Sequence, residues 1–194
     1  MEWVIPAVLV VLLGWGTLIR ARLKRLHTAA VEAWPPLAAA LQRRHALVTP
    51  LVKTLEPLPR KSQRPLQNLV KARKAALVAD LSPQAAGAAE HALETAIIEA
   101  LIHGEAFPDQ VDTARLAQFA DAFEQAAERI SAAAEAFNEA AFAYNSACVG
   151  SPVTLVAKLS NYWPLEYFGL DLTERGPTTQ NERGQAAEPG APMA

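Results

Sequence analysis

A single cysteine, Cys148, leaves no partner for an intrachain disulfide and fits a reducing compartment. Its ordinary reading is a small buried hydrophobe. Histidine is also sparse: His27, His45, His91 and His103 are scattered, with neither zinc spacing nor cysteine partners, and no metal is assigned. There is no Gly-rich phosphate loop, no Gly-x-Ser-x-Gly elbow and no His-Glu-x-x-His. The positive case for an enzyme is therefore empty, and no catalytic, cofactor-binding or metal residue is assigned. Aromatic residues make up only 7% of the chain, so a core must be built from Leu, Val and Ala, and abundant alanine favours helix over sheet. The basic part of the chain lacks both the aromatics that stack bases and any reader motif, which argues against nucleic acid as a partner.

What the chain has is one sharp helical seam. Leu116, Phe123, Ile130, Phe137 and Tyr144 recur every seven residues. Three positions after each come Phe119, Ala126, Ala133, Ala140 and Ala147, and four after come Ala120, Ala127, Ala134, Ala141 and Cys148. A strict repeat of seven keeps bulky side chains on one stripe, and the small residues beside it admit a neighbouring backbone. The rest of the chain must supply that neighbour.

Charge is divided between the two halves. From Arg20 to Ala79 there are thirteen basic residues against Glu32 and Glu56, a local net of +11. From Asp80 to Asp171 fourteen acids face Arg115, Arg129 and Lys158, a local net of -11. In an antiparallel bundle these halves attract, and the excess positive charge near the N-terminus favours an anionic membrane surface.

The first apolar stretch, Trp3 to Ile19, holds seventeen residues without a charge. As a helix it reaches about 25 Å, the short end for a bilayer span. Trp3 and Trp15 suit the two interfaces, and Arg20, Arg22, Lys24 and Arg25 follow at once. A cleavable signal peptide is the weaker reading, because no basic region precedes the run and Arg20-Ala21-Arg22 offers no small-x-small site. The basic flank predicts a single-pass protein of the cell membrane, N-terminus outside and domain in the cytoplasm. Residues 1–21 are thus the expected anchor.

Leu37, Leu41, Val48, Leu51 and Leu55 then follow the four-then-three spacing of a packing stripe, with Arg44 occupying one place in the row. Pro35-Pro36 predicts a kink or a fresh helix start, and Pro50 a second bend. Pro57, Leu58 and Pro59 end this segment, and further helices are expected from Pro65 to about Leu81 and from about Ala85 to His103. Gly87 weakens the start of the latter by about 1 kcal/mol relative to Ala. Asp109 or Asp112 is placed to cap the long last helix, which should end at Gly150-Ser151-Pro152. Val153 to Asp171, with Tyr162, Trp163, Tyr167 and Phe168, is too aromatic for a free tail and should fold back on the bundle. Residues 172–194 are rich in Gly, Pro, Thr, Gln and Asn and read as disordered. The expected architecture is all-α: an N-terminal transmembrane helix, then an elongated antiparallel bundle of about three long helices over residues 22–171.

Leu41-Gln42-Arg43-Arg44-His45-Ala46-Leu47-Val48-Thr49-Pro50-Leu51-Val52 resembles the signature of the LemA family, bacterial proteins with an N-terminal membrane helix. The likeness extends upstream to Ala33-Trp34 and downstream, in order, through Lys71-Ala72-Arg73, Phe107-Pro108-Asp109, Phe137-Asn138 and Tyr144-Asn145 to Leu155-Val156-Ala157. It implies an elongated helical bundle held at a membrane and no settled activity. The chain departs from the family pattern at Pro35-Pro36, Gly150-Ser151-Pro152 and Ser160-Asn161-Tyr162-Trp163, which bears on the geometry of the bundle ends.

A few side chains invite chemical readings. Glu99 and His103 stand four apart on one helix, but the di-iron bundle pattern needs Glu-x-x-His twice plus two further Glu, so a surface pair is expected. Glu124 and Glu128, like Glu135 and Glu139, form i,i+4 carboxylate pairs expected on a solvated flank. Asn138 and Asn145 directly follow two seam residues and should hydrogen-bond between helices to set register. Arg44, lying in an apolar row beside Arg43, must be paired if buried, and the acidic last helix is its expected partner; an anion site is the alternative. The function expected is a non-enzymatic scaffold or interaction protein on the cytoplasmic face, binding unidentified proteins or itself. The alternative is a lipid-binding or membrane-shaping module whose first helices, from Arg20, Arg22, Lys24 and Arg25 onward, lie on anionic lipid.

Overall fold

The computed structural model describes residues 3–59, 62–79, 82–149 and 163–169, the side chains of residues 4–13 lying outside that set. Among the described residues the regular secondary structure is α-helical, in α1 (Val4–Leu55), α2 (Arg64–Ala79), α3 (Pro83–Glu105) and α4 (Thr113–Cys148). The two shorter helices expected from Pro65 and from about Ala85 pair as a hairpin, so the described residues hold four helices in place of about three long ones.

α1 pairs most extensively with α4, and α2 with α3; smaller contacts join α1 to α2 and α3 to α4. The first pair is antiparallel. His27 meets Tyr144 and Trp34 meets Phe137, each with ring centroids 5.3 Å apart, and farther along Gly104 lies against both Leu55 and Leu116. Ascending α1 therefore means descending α4. The seam explains the pairing: Leu116, Phe123, Ile130, Phe137 and Tyr144 are all buried. So are Leu37, Leu41, Val48, Leu51 and Leu55 of the α1 row.

Pro35 and Pro36 do not start a new helix. α1 is assigned as one helix of 52 residues through Pro35, Pro36 and Pro50, about 78 Å at 1.5 Å per residue. Each proline removes the hydrogen bond to the carbonyl four residues back, at Val31, Glu32 and Ala46. Those three residues are exposed, so water can satisfy the freed carbonyls on the outer side of the rod. At the start of α4, Asp112 is the cap: its side chain accepts from Arg115 N at 3.1 Å.

The expected span of residues 3–19 is helical in its backbone from Val4 onward, but most of its side chains lie outside the described residues. Among the described residues no helix is long and apolar enough to cross a membrane. The turn at Gly150-Ser151-Pro152 and the tail from 172 also lie outside them.

Candidate functional site: a buried polar layer and a returning strap

Two apolar clusters fill the bundle. The upper one gathers Val48, Leu51, Leu55, Leu69, Leu93, Ile97, Leu116 and Phe123; the lower one gathers Leu37, Leu41, Ala86, Ile130, Phe137 and Phe168. Between them, on α1 and α3, sit the buried polar residues Arg44, His45 and Glu90. The Glu90 carboxylate accepts from Arg44 Nη2 through one oxygen and pairs with His45 Nε2 through the other. Arg44 Nη2 also donates to the Glu90 backbone carbonyl at 3.3 Å, and Nη1 lies 3.9 Å from Glu94. On the far side of α1, Arg73 Nε donates to the His45 carbonyl at 3.1 Å, which ties α2 into the same level.

Burial alone would raise the Glu90 pKa; the hydrogen bonds from His45 and Arg44, with their charges, outweigh it and hold the carboxyl below its ordinary value. The layer is a charged group neutralised in place. Both Glu90 oxygens are engaged, which ties α3 to α1 at this level.

A cavity of about 580 Å³ opens beside the layer, with Arg44, Glu90, Glu94 and Glu128 in its wall. Arg44 Nε and His45 Nδ1 are buried without a hydrogen-bond partner among the described residues.

Arg44 is thus buried and paired as the row demands, but its partner comes from α3 and not from the last helix. Glu90 is the residue that sequence reasoning missed. The signal was available: Ala86, Glu90, Leu93, Ile97 and Ala100 form a second four-then-three row, and Glu90 interrupts it as Arg44 interrupts the first. Arg43 is exposed and lines a separate groove with Arg129.

The two asparagines bind a different partner from the one expected. Asn145 Nδ2 donates to the Leu165 carbonyl at 2.9 Å and its Oδ1 accepts from Leu165 N at 2.8 Å. Asn138 does the same to Phe168, at 3.1 and 2.8 Å. Seven helical residues rise about 10.5 Å, and three nearly extended residues span about 10 Å, so the two amides, two turns apart on α4, match positions three apart on a strap running antiparallel to it. Tyr144 Oη donates to the Trp163 carbonyl at 3.1 Å, and Ser82 Oγ donates to Glu166. The described part of the aromatic segment does fold back. Where it crosses α3, a Cβ on Gly87 would stand 2.2 Å from Gly169 N, and Gly169 itself has φ +69°. Gly87 is therefore a crossing point, worth its cost in helix propensity.

Of the remaining candidates, Glu124, Glu128, Glu135 and Glu139 lie on the exposed flank. Glu99 is exposed, whereas His103 is half-buried and stacks edge-on against Phe107 at 5.2 Å. His91 is exposed.

The sequence matches the LemA family over residues 33–180. The chain belongs to the LemA family. The matched region takes in the second half of α1, the polar layer, the whole hairpin, α4 and the strap. No curated protein gives a match. In this LemA-family chain the stretch Leu41–Val52 carries two of the three residues of the polar layer.

Proposed function

We propose that this LemA-family chain is a non-enzymatic scaffold or interaction protein, anchored in the cell membrane by residues 3–19 with its bundle in the cytoplasm. The continuity of α1 carries the reading. The apolar run passes into the bundle within one helix, Val4–Leu55, with no linker between, so the bundle would stand as a rigid rod on the membrane. Trp3 and Trp15 are exposed, as interfacial anchors would be, and Arg20, Arg22, Lys24 and Arg25 are all exposed just beyond. The buried ionisable groups neutralise one another, which suits a structural role.

That basic collar favours a second reading, in which the first helices bind anionic lipid in addition to the anchor. Topology tests the first. A reporter fused at the C-terminus should be active in the cytoplasm, and external protease should leave the bundle intact; external reporter activity overturns the orientation.

A further inference from the structure

Most of the opposite charges of the two halves that fall among the described residues are exposed. Among the described residues the ion pairs are Arg44–Glu90, Arg44–Glu94 and His45–Glu90, all in the polar layer. Arg73 is half-buried against α1, and most of the other described charges are exposed. On the side formed by α1 and α2, Lys53, Arg64, Lys71 and Lys74 are exposed, with Glu56 among them. On the side formed by α3 and α4, Glu99, Glu105, Asp121, Glu124 and Glu128 are exposed. Arg115 and Arg129 are the basic residues of α4, and each side keeps its sign.

Shape follows charge. Between α1 and α2 runs a groove of about 420 Å³ lined by the apolar Val52, Leu66 and Val70 and by Lys71 and Lys74, with Glu56 as its one acid. On the acidic side Ile98 and Ile102, one turn apart on α3, are 50% and 64% exposed. The two features share a height. Glu90 lies level with Arg44, and Gly104 with Leu55, so Ile98 and Ile102 lie level with residues near 50–54 of α1; Arg73 lies level with His45, which brings Leu66 and Val70 to the same stretch.

We propose that copies of this protein standing side by side in one membrane associate, Ile98 and Ile102 of each entering the groove between α1 and α2 of the next. This rests on the anchoring proposed above, because a shared membrane gives every copy the same direction and height. Opposite sides of one rod then meet without rotation, and a heterologous contact of that kind repeats into an open row. Confinement raises the effective concentration, so a small contact with complementary charge suffices.

The test uses the full chain in phosphatidylcholine vesicles, with Cys148→Ser throughout. The double variant Gln67→Cys with Ile102→Cys joins the groove to the inserted face. Mild oxidation should produce a ladder of dimers, trimers and higher species. Either single variant alone should remain monomeric, and a mixture of the two should stop at dimers. Glu99→Lys with Glu105→Lys should abolish the ladder, and adding Lys71→Glu with Lys74→Glu should restore it, which separates lost association from lost folding. Dimers from a single variant, or a ladder indifferent to charge reversal, overturn the proposal. Flotation with the vesicles keeps the two readings apart: protein that floats without a ladder overturns the association alone, whereas protein that fails to float overturns the anchor and this proposal with it.

Discussion

Glu90 shows how much can depend on one side chain. It is a carboxylate almost wholly removed from water, and what holds it there is two cationic or hydrogen-bonding neighbours from a helix more than forty residues away in sequence. Breaking a buried pair from one side leaves an uncompensated charge and costs about 3–5 kcal/mol. Glu90→Gln should therefore unfold well before wild type in denaturant, and the double change Arg44→Met with Glu90→Leu should recover much of the loss. The pH dependence follows from the depressed folded pKa. Stability from an ionised Glu90 is fully present above the unfolded carboxyl value of 4.5 and is lost as pH falls through the lower folded value. The gap between wild type and Glu90→Gln should shrink on acidification; a gap that is constant from neutral to acid pH contradicts the assignment. The alanines of the seam behave by depth. Ala126 and Ala141 are buried whereas Ala133 and Ala140 are half-buried, so the closest contact moves from the third position to the fourth along α4. Ala141→Leu should cost about 1–3 kcal/mol or more by overpacking. Exposed Glu128→Gln should stay within about 0.5 kcal/mol, and equal denaturation midpoints for the two would contradict a packed seam.

At the scale of elements, the strap is the part that long-range contacts alone hold. A segment with no internal ladder must place its backbone groups somewhere, and Asn138 and Asn145 each supply one donor and one acceptor to them. Asn138→Leu with Asn145→Leu keeps the volume and removes four hydrogen bonds. Limited proteolysis should then cut near residues 163–169 far faster than in wild type, while the helical content by circular dichroism hardly changes. Unchanged cleavage would mean that Phe168 and Leu165 hold the strap by packing alone. The helices tell a complementary story. Pro35 and Pro36 are compatible with an unbroken α1 because Val31 and Glu32, whose carbonyls they free, are exposed residues that water can reach, so a rule about single residues gives way to where the residues lie.

At the scale of the whole described structure, one long helix, α1, has α2 and α4 packed along it. α1 supplies the proposed anchor, the basic collar, two residues of the polar layer and one wall of the α1–α2 groove. If the proposed anchor holds, the same helix runs from the membrane into the bundle with no linker between them. If the basic collar only orients the anchor, the chain without residues 1–20 should stay in the supernatant when anionic vesicles are pelleted. Co-sedimentation that disappears between about 0.1 and 1 M salt, as the screening length falls from about 10 to about 3 Å, would favour the lipid-binding alternative.

Periodicity is a local property, and what is local was legible. The seam from Leu116 to Tyr144, the row from Leu37 to Leu55, the cap at Asp112 and the family signature at Leu41–Val52 all lie within a few turns of one helix. The sequence by itself determined that the chain is helical, which faces are apolar, and that Arg44 needs a partner. Which partner is a matter of register between helices. Arg44 and Glu90 are 46 residues apart, and their meeting depends on the hairpin turning after Ala79, on the loop before α4, and on the packing that sets the height of α3 against α1. The same holds for Asn138 with Phe168 and for Gly87 with Gly169: each is a pair whose members look ordinary alone. Only the tertiary structure decided these contacts, because the energy that selects them comes from burying several helices at once, and no single segment carries it.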